Sequence, residues 1–274
     1  VTGGAGFIGS AAVRHLVENL SHQVLCVDKL NYAANLESLQ SVFHNTLFNF
    51  KQEDICNVSN ILNIFKTFQP DKVLHLAAET HVDRSIDNPG EFIQSNIMGT
   101  YVLLQTSLDY WRKLDSKRRS KFRFHHVSTD EVFGDLEIND DPFNELTPYD
   151  PSSPYSASKA SSDHLVRSWH RTYKLPIVLS NCSNNYGPFQ FPEKLIPLII
   201  LKAVEGMPLP IYGKGDQIRD WLFVDDHVKA LVEILENGEI GESYNVGGNC
   251  EKSNLEVVTT ICRILDKLVP QHPK

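Results

Sequence analysis

Two short stretches carry residue types at spacings that could do chemistry: Tyr155 and Lys159 in YSASK, and Asp130 with Glu131 in HHVSTDEVFG. Four residues apart at the start of a helical segment, Tyr155 and Lys159 share one helix face, a turn from each other. A phenol with a pKa near 10 is a poor base at neutral pH. A neighbouring ammonium and a positive nicotinamide would stabilise the phenolate. Tyr155 could then take a hydroxyl proton while hydride leaves the same carbon for a nicotinamide. Tyr and Lys at helical spacing are common on surfaces, so this pair gains meaning only beside a dinucleotide site.

The chain opens with such a site. VTGGAGFIGS places glycines at 3, 6 and 9. Residues without side chains let the backbone approach a pyrophosphate, and the helix that follows offers its N–H groups and positive dipole end to that anion. Asp28 ends the next strand in VLCVDKL, about 20 residues beyond Gly9, where a carboxylate can accept hydrogen bonds from the adenosine ribose. It would repel a 2′-phosphate, so NAD is expected rather than NADP. Asp54 and Ile55 follow a later strand and are placed to meet the adenine, with a helix N-cap as the alternative for Asp54. Leu76, Ala77 and Ala78 are small enough to lie beside the cofactor.

Ser128 and Thr129 close a strand, where a hydroxyl can reach both a sugar oxygen and Tyr155. Asp130 and Glu131 follow directly. Neighbouring side chains on an extended backbone point apart, but a turn at the strand end can direct both toward one substrate. Two carboxyl groups in different surroundings divide into an acid and a base. A solvated acidic pair at a loop start is the plainer alternative.

These residues need a scaffold. Strands are expected at Gln23–Val27, Lys72–Leu76, Arg123–Val127 and Ile177–Leu179, with helices at Phe7–Glu18, Asn60–Thr67, Ile93–Tyr110 and Ser158–Tyr173. Strands separated by helices imply βαβ units, hence an α/β fold with a doubly wound, Rossmann-like parallel sheet. After Tyr186 the prolines at 188, 192, 197, 208 and 210 break the rhythm, which indicates a smaller mixed C-terminal lobe for the substrate. Residues 1–186 with about 213–238 are assigned to the cofactor domain, and about 187–212 with 239–274 to the lobe. Trp221–Glu236 is expected to return to the main sheet, and Lys113–Lys121 to be a solvated helix end or loop.

The 274 residues are 41% hydrophobic and carry a net charge of -8, ample for a large core. An acidic surface argues against nucleic acid as partner. The best apolar run, Leu195–Val204, is too short to span a membrane. Five scattered cysteines without a CxxC pair read as reduced thiols of a cytoplasmic protein. His75, His81, His125 and His126 lack companion ligands at metal spacing, so packing roles and no metal are expected. Cys182 is likewise read as packing.

The glycine turn, Asp28 and the Tyr–Lys pair, in this order, resemble the extended short-chain dehydrogenase/reductase superfamily. STDEV, PYSASKASSDHLV, SNNYGP, FPEKLIP and YGKGDQIRDW together look like the dTDP-glucose 4,6-dehydratase family, from the first residue to about Leu268. The resemblance implies roles by position. Thr129 contacts the substrate hydroxyl, Asp130 is the acid, Glu131 the base, Tyr155 the redox base and Lys159 its electrostatic partner. It puts Phe7, Ile8, Lys29, Leu30 and Asn31 with the glycines and Asp28 at the NAD site, and Ser95 and Asn185 nearer the cofactor than the sugar. Thr80 falls near the sugar, and Asn184, Lys194, Leu195, Pro210, Tyr212 and Asn254 around the nucleotide. Arg219 is the pyrophosphate clamp by its planar fork, with a surface ion pair to Asp216 or Asp220 as the alternative. A homodimer through Ile93–Tyr110 and Ser158–Tyr173 is expected because relatives pair through two long helices. The chain starts inside the first strand, and relatives continue past Lys274, so it reads as a fragment lacking both ends. Phe133 stands where relatives often have Tyr. The alternatives are a nucleotide-sugar 4-epimerase, which needs no acid–base pair for dehydration, a dehydratase of another nucleotide sugar, and a non-catalytic NAD-binding regulator.

Overall fold

The computed structural model describes residues 1–137 and 140–268. They divide into two compact units, Val1–Cys182 with Val228–Val246, and Ser183–His227 with the segment from Gly247. These limits differ from the sequence-based ones: residues 183–186 and 213–227 group with the smaller unit and 239–246 with the larger.

The larger unit is built on parallel strands β1 (Val24–Asp28), β2 (Phe48–Gln52), β3 (Lys72–His75), β4 (Arg123–Thr129), β5 (Ile177–Cys182) and, late in the chain, β8 (Ser243–Val246). β1 pairs with β2, and β3, β4, β5 and β8 follow in that order. Thr2 joins the two sets by parallel bridges to Val27 and His75. β5, in the sheet interior, is buried along its whole length, as expected of a strand covered on both faces. β2 has only Phe48 buried, which is why no apolar run marks this edge strand.

Helices α1 (Phe7–Arg14), α2 (Val58–Phe68), α3 (Val82–Asp87), α4 (Pro89–Phe92), α5 (Gly99–Trp111), α6 (Ser116–Lys121) and α7 (Pro154–Tyr173) connect the strands. π-helical turns at His15–Asn19 and Ile93–Met98 extend α1 and precede α5. The charged segment Lys113–Lys121 contains α6, capped by Asp115, whose carboxylate accepts the N–H groups of Lys117 and Arg118. Arg118 ties it back to Asp71 at 3.1 Å. α7 starts with a Ser153–Ser156 capping box and Pro154 in its first turn, and ends at Lys174 in the left-handed region, features that fix a helix at both ends. The core gathers Val27, Ile61, Phe65, Leu104, Phe124 and Leu179 among others. Fully burying one such aliphatic or aromatic side chain contributes about 1.5–3 kcal/mol.

The smaller unit contains β6 (Asn184–Tyr186), β7 (Ile218–Phe223), β9 (Glu251–Ser253), α8 (Leu195–Val204), the start of α9 (Val224–Asn237) and α10 (Asn254–Leu268). β7 pairs parallel with β6 and antiparallel with β9. Trp221–Phe223 therefore belongs to this separate mixed sheet, while Val228–Glu236 of α9 does return to the larger unit that holds the main sheet. The apolar run Leu195–Val204 is α8, which packs with α10 through Ile199, Val258 and Ile261. No helix among the described residues is long and apolar enough to cross a membrane.

Candidate active site

The glycine turn is shaped by what its neighbours exclude. Gly3 has φ +69, and a Cβ there would lie 2.6 Å from the Ala77 backbone nitrogen. A Cβ on Gly9 would lie 2.0 Å from the Gly3 oxygen. At Gly6 a Cβ would lie 3.3 Å from Gly3 O, tight but less severe than at Gly3 or Gly9. Gly6 is also the N-cap of α1 and provides no side-chain cap, leaving the first N–H groups, with Phe7 and Ile8, to an anion. These features fit a pyrophosphate.

Asp28 is buried at the end of β1. Its Oδ2 accepts Ala5 N–H at 3.0 Å and its Oδ1 accepts Leu30 N–H at 2.8 Å. Burial raises its pKa, while these two N–H groups and Lys29 oppose the rise. Two hydrogen bonds leave a carboxylate with acceptor capacity for ribose hydroxyls. Lys29 and Asn31 turn instead to buried Glu79, Lys29 Nζ at 2.6 Å and Asn31 Nδ2 at 3.1 Å from both oxygens. The ammonium next to Asp28 is thereby committed to a carboxylate rather than offered to a 2′-phosphate. Lys29 also reaches Ser95 Oγ at 3.5 Å.

Asp54 Oδ1 accepts Cys56 N–H at 2.8 Å, closing a turn, and Asn57 rather than Asp54 caps α2. Ile55 is buried against Gly99. Leu76, Ala77 and Ala78 leave β3 half-buried beside Gly3, and Thr80 is exposed.

β4 delivers the second group of residues. A 3₁₀ turn, Asp130–Phe133, begins directly after Thr129. It supplies the change of direction that lets adjacent carboxyl groups leave one strand end together. Thr129 Oγ1 donates to Asp130 Oδ1 at 3.2 Å and accepts Glu131 N–H at 3.3 Å. Asp130 is half-buried and Glu131 exposed, so the two occupy different surroundings. Phe133 is buried in an aromatic cluster with Phe143 and Tyr149, at centroid distances of 5.1 and 5.3 Å. The hydroxyl absent at this position would fall in an apolar cluster.

Tyr155 and Lys159 lie buried on α7. The Tyr155 backbone N–H donates to Ser85 Oγ at 3.1 Å. Burial holds the phenol well above its usual pKa, reinforced by Glu131, Cys182 and Asp130, and opposed by a hydrogen bond with Thr129. Lys159 Nζ donates to Val127 O at 2.9 Å, and without the nicotinamide burial is the largest influence on the Tyr155 phenol. Burial also lowers the Lys159 pKa, with Asp163 and then Cys182 opposing it.

Sequence reasoning missed the polar groups behind this face. Asn96 Nδ2 donates to Glu79 O at 2.9 Å and to Ser158 Oγ at 2.8 Å, binding the cofactor side to α7. Asp163 accepts from Ser128 and Tyr149, and its position four residues after Lys159 was the available signal. The histidines are buried packing or capping groups. His75 bridges Thr2 and Thr100 at 2.8 and 2.9 Å, His125 meets Ser180 at 2.8 Å, and His81 caps α3. Cys182 is buried, its thiol 3.4 Å from Ser128 O.

The smaller unit carries the remaining residues. Asn185 is buried, its Oδ1 2.8 Å from His227 Nδ1 and its Nδ2 donating to Ser183 O at 2.9 Å. Asn184, Lys194, Leu195 and Pro210 are half-buried, and Tyr212 is 76% exposed. The exposed Arg219 donates to Ile218 O at 2.7 Å. Asp220, one alternative partner for it, accepts the N–H groups of Gly248 and Cys250 instead. Asn254 opens α10 and donates its N–H to Gln217 O at 3.0 Å.

The sequence model of the family described as GDP-mannose 4,6 dehydratase matches residues 1–271. A dTDP-glucose 4,6-dehydratase of Neisseria gonorrhoeae is 59% identical over 273 residues, covering 100% of this chain and 79% of that protein. The chain belongs to the dTDP-glucose 4,6-dehydratase family. The Neisseria meningitidis serogroup B member is 60% identical over 273 residues, 100% of this chain and 77% of its own length. The crystal structure of the Bacillus anthracis dTDP-glucose 4,6-dehydratase in complex with NAD superimposes with a TM-score of 0.87 at 40% identity, over 96% of this chain and 79% of that one. The expected doubly wound fold is the one shared with this dehydratase family.

Proposed function

We propose that the chain converts dTDP-glucose to dTDP-4-keto-6-deoxyglucose and water, with NAD as a recycled cofactor. The observation that carries this reading is the convergence of two carboxyl groups and a hydroxyl on one buried phenol. Thr129 bonds Asp130 and caps the Glu131 N–H, and Thr129, Asp130 and Glu131 all act on the Tyr155 proton. A 4-epimerase has no use for an acid and a base at that position.

NAD, when bound, would supply the hydride acceptor for oxidation at carbon 4 and, once reduced, the hydride donor for carbon 6. Tyr155 takes the carbon 4 hydroxyl proton, while Thr129 holds that oxygen. The carbon 4 ketone acidifies carbon 5, so Glu131 removes the carbon 5 proton as Asp130 protonates the departing carbon 6 hydroxyl. A proton goes back to carbon 5 when hydride adds at carbon 6. Asp130 is half-buried and Glu131 exposed, so the two carboxyl groups stand in the different surroundings that a division into acid and base requires. Lys159 contributes positive charge and ribose contacts. Fixing these groups about one sugar supplies the orientation part of the rate. Gly3, Gly6, Gly9 and Asp28 are assigned to the pyrophosphate and ribose of NAD. Arg219, Tyr212, Lys194 and Asn254 are assigned to the nucleotide on the family resemblance.

The protein is further read as a cytoplasmic homodimer. Apolar groups exposed on and beside α5 and α7, Ile86, Ile93, Met98, Tyr101 and Tyr173, support a paired face there. The deciding assay incubates the purified protein with dTDP-glucose and NAD. A 4-keto-6-deoxy product should form without accumulation of NADH. Turnover of another nucleotide sugar, with none of dTDP-glucose, overturns the substrate.

A further inference from the structure

Asp163 lies one turn beyond Lys159 on α7 and is completely buried. Its Oδ2 accepts the Ser128 hydroxyl at 2.9 Å, the Tyr149 hydroxyl at 2.9 Å and the Asn181 amide at 3.3 Å. Its Oδ1 stands 3.1 Å from His126 Nε2. These partners come from β4, β5 and the loop before α7. One carboxylate thus ties together the segments that carry and flank Thr129, Asp130 and Glu131. Asn181 extends the tie by donating from the same amide nitrogen to Thr129 O at 3.0 Å.

A charge so deeply buried persists only where another charge or several hydrogen bonds balance it. His126 is the nearest of these partners to Asp163 Oδ1 and, against burial, helps hold the Asp163 pKa down, although burial pulls its own pKa to about 4. Lys159, one turn earlier on the same helix, is the other basic group. It is 4% exposed, its one described hydrogen bond goes to a neutral carbonyl, Val127 O, and Asp163 opposes the lowering of its pKa by burial. The other titratable groups around the pair are Tyr155 and Arg167 on α7, His75 on β3, Cys182 on β5, Tyr149 on the preceding loop, and Asp130 and Glu131 beyond β4. Burial holds His75 neutral, and Tyr149 and Tyr155 protonated. Arg167 is spent on Tyr149 OH at 3.0 Å.

We propose that Asp163 is a positioning residue of the reaction: it is the buried counter-charge that keeps Lys159 an ammonium, and through Ser128 and Tyr149 it fixes the Thr129–Glu131 turn against α7. The proposal rests on the dehydratase reading for its catalytic meaning, but the state of Lys159 is measurable without turnover.

Asp163→Asn keeps the size and accepts the same hydroxyls but removes the charge. The alkaline limb of the kcat–pH profile, set by loss of the Lys159 proton, should move to lower pH by about one pH unit or more, with KM little changed. Asp163→Glu should restore the limb toward the wild-type position. Tyr149→Phe removes one hydrogen bond and no charge, so it should lower thermal stability and leave the limb in place. NMR titration of ¹³C-labelled lysine side chains, with Lys159 assigned through Lys159→Arg, should show the same displacement in Asp163→Asn, whatever the substrate. An Asp163→Asn protein that loses stability but keeps both the limb and the Lys159 titration overturns the proposal. If that variant does not fold, the wild-type titration decides. A Lys159 that loses its proton below neutral pH overturns the proposal, and one that keeps it above neutral supports it.

Discussion

The Thr129 hydroxyl donates to Asp130 Oδ1 across 3.2 Å, and the same oxygen caps the N–H of Glu131. One side chain therefore holds the Asp130 carboxyl group and the Glu131 backbone at the end of β4. Against burial, Thr129 also lowers the pKa of Tyr155, which links the proposed acid–base pair to the proposed redox phenol.

Replacing Glu131 by Gln removes the assigned carbon 5 base and leaves Thr129, Asp130 and Tyr155 in place. Overall kcat should fall about 10²–10⁴-fold, the usual contribution of a general base. Solvent deuterium should no longer enter carbon 5, while oxidation at carbon 4 continues and absorbance of NADH builds up. Normal deuterium incorporation in this variant would remove Glu131 from the role.

Gly9 and Gly90 offer a matched test of the cofactor turn. A Cβ at Gly9 meets the Gly3 oxygen at 2.0 Å, whereas at Gly90 the nearest group is Asn88 Oδ1 at 3.9 Å. Gly9→Ala should destabilise the fold by about 3 kcal/mol or more through overpacking and abolish NAD retention. Gly90→Ala lies within α4 and should be neutral or stabilise by about 0.4–1 kcal/mol. Urea denaturation and fluorescence titration with NAD measure both.

Acid should unfold this protein early, and the buried histidines are one reason. Burial lowers the pKa of His126 and of His227 from 6.5 to about 4, so between those values the unfolded chain binds more protons than the folded one. Their contribution is complete above pH 6.5 and is lost as pH falls toward 4. At pH 5 the loss is about 2 kcal/mol for each. His75, also lowered, adds in the same direction. Urea unfolding at pH 7 and pH 5 measures the difference; equal stabilities at the two pH values would contradict the neutral burial of these rings.

The dimer face has its own test. Ile93 and Tyr101 are 54% and 39% exposed and hold no assigned catalytic or cofactor role. An Ile93→Glu, Tyr101→Glu double variant should sediment as a monomer while remaining folded. If a dimer of unchanged affinity persists, the pairing surface lies elsewhere.

Local sequence determined the parts whose signal is local. The glycines at 3, 6 and 9 are legible because only a residue without a side chain tolerates the close approaches of that turn. Tyr155 and Lys159 are legible because helix periodicity alone sets them one turn apart. The alternating strands and helices gave the larger unit, and β4 and β5 were read from apolar runs that burial requires. Tertiary structure decided the rest, for reasons of distance along the chain. The edge strand β2 shows little because only one face of Phe48–Gln52 reaches the core. Trp221–Phe223 looked like a return to the main sheet because a strand's apolar pattern does not say which sheet it joins. Asp163 collects partners as far away in sequence as Ser128, 35 residues earlier, and His126, earlier still, and Asn96 reaches Ser158 across 62. The sequence itself set which groups could do the chemistry. The protonation of Tyr155 and Lys159 depends on burial and on charges brought from β4 and β5, and only the folded chain supplies those.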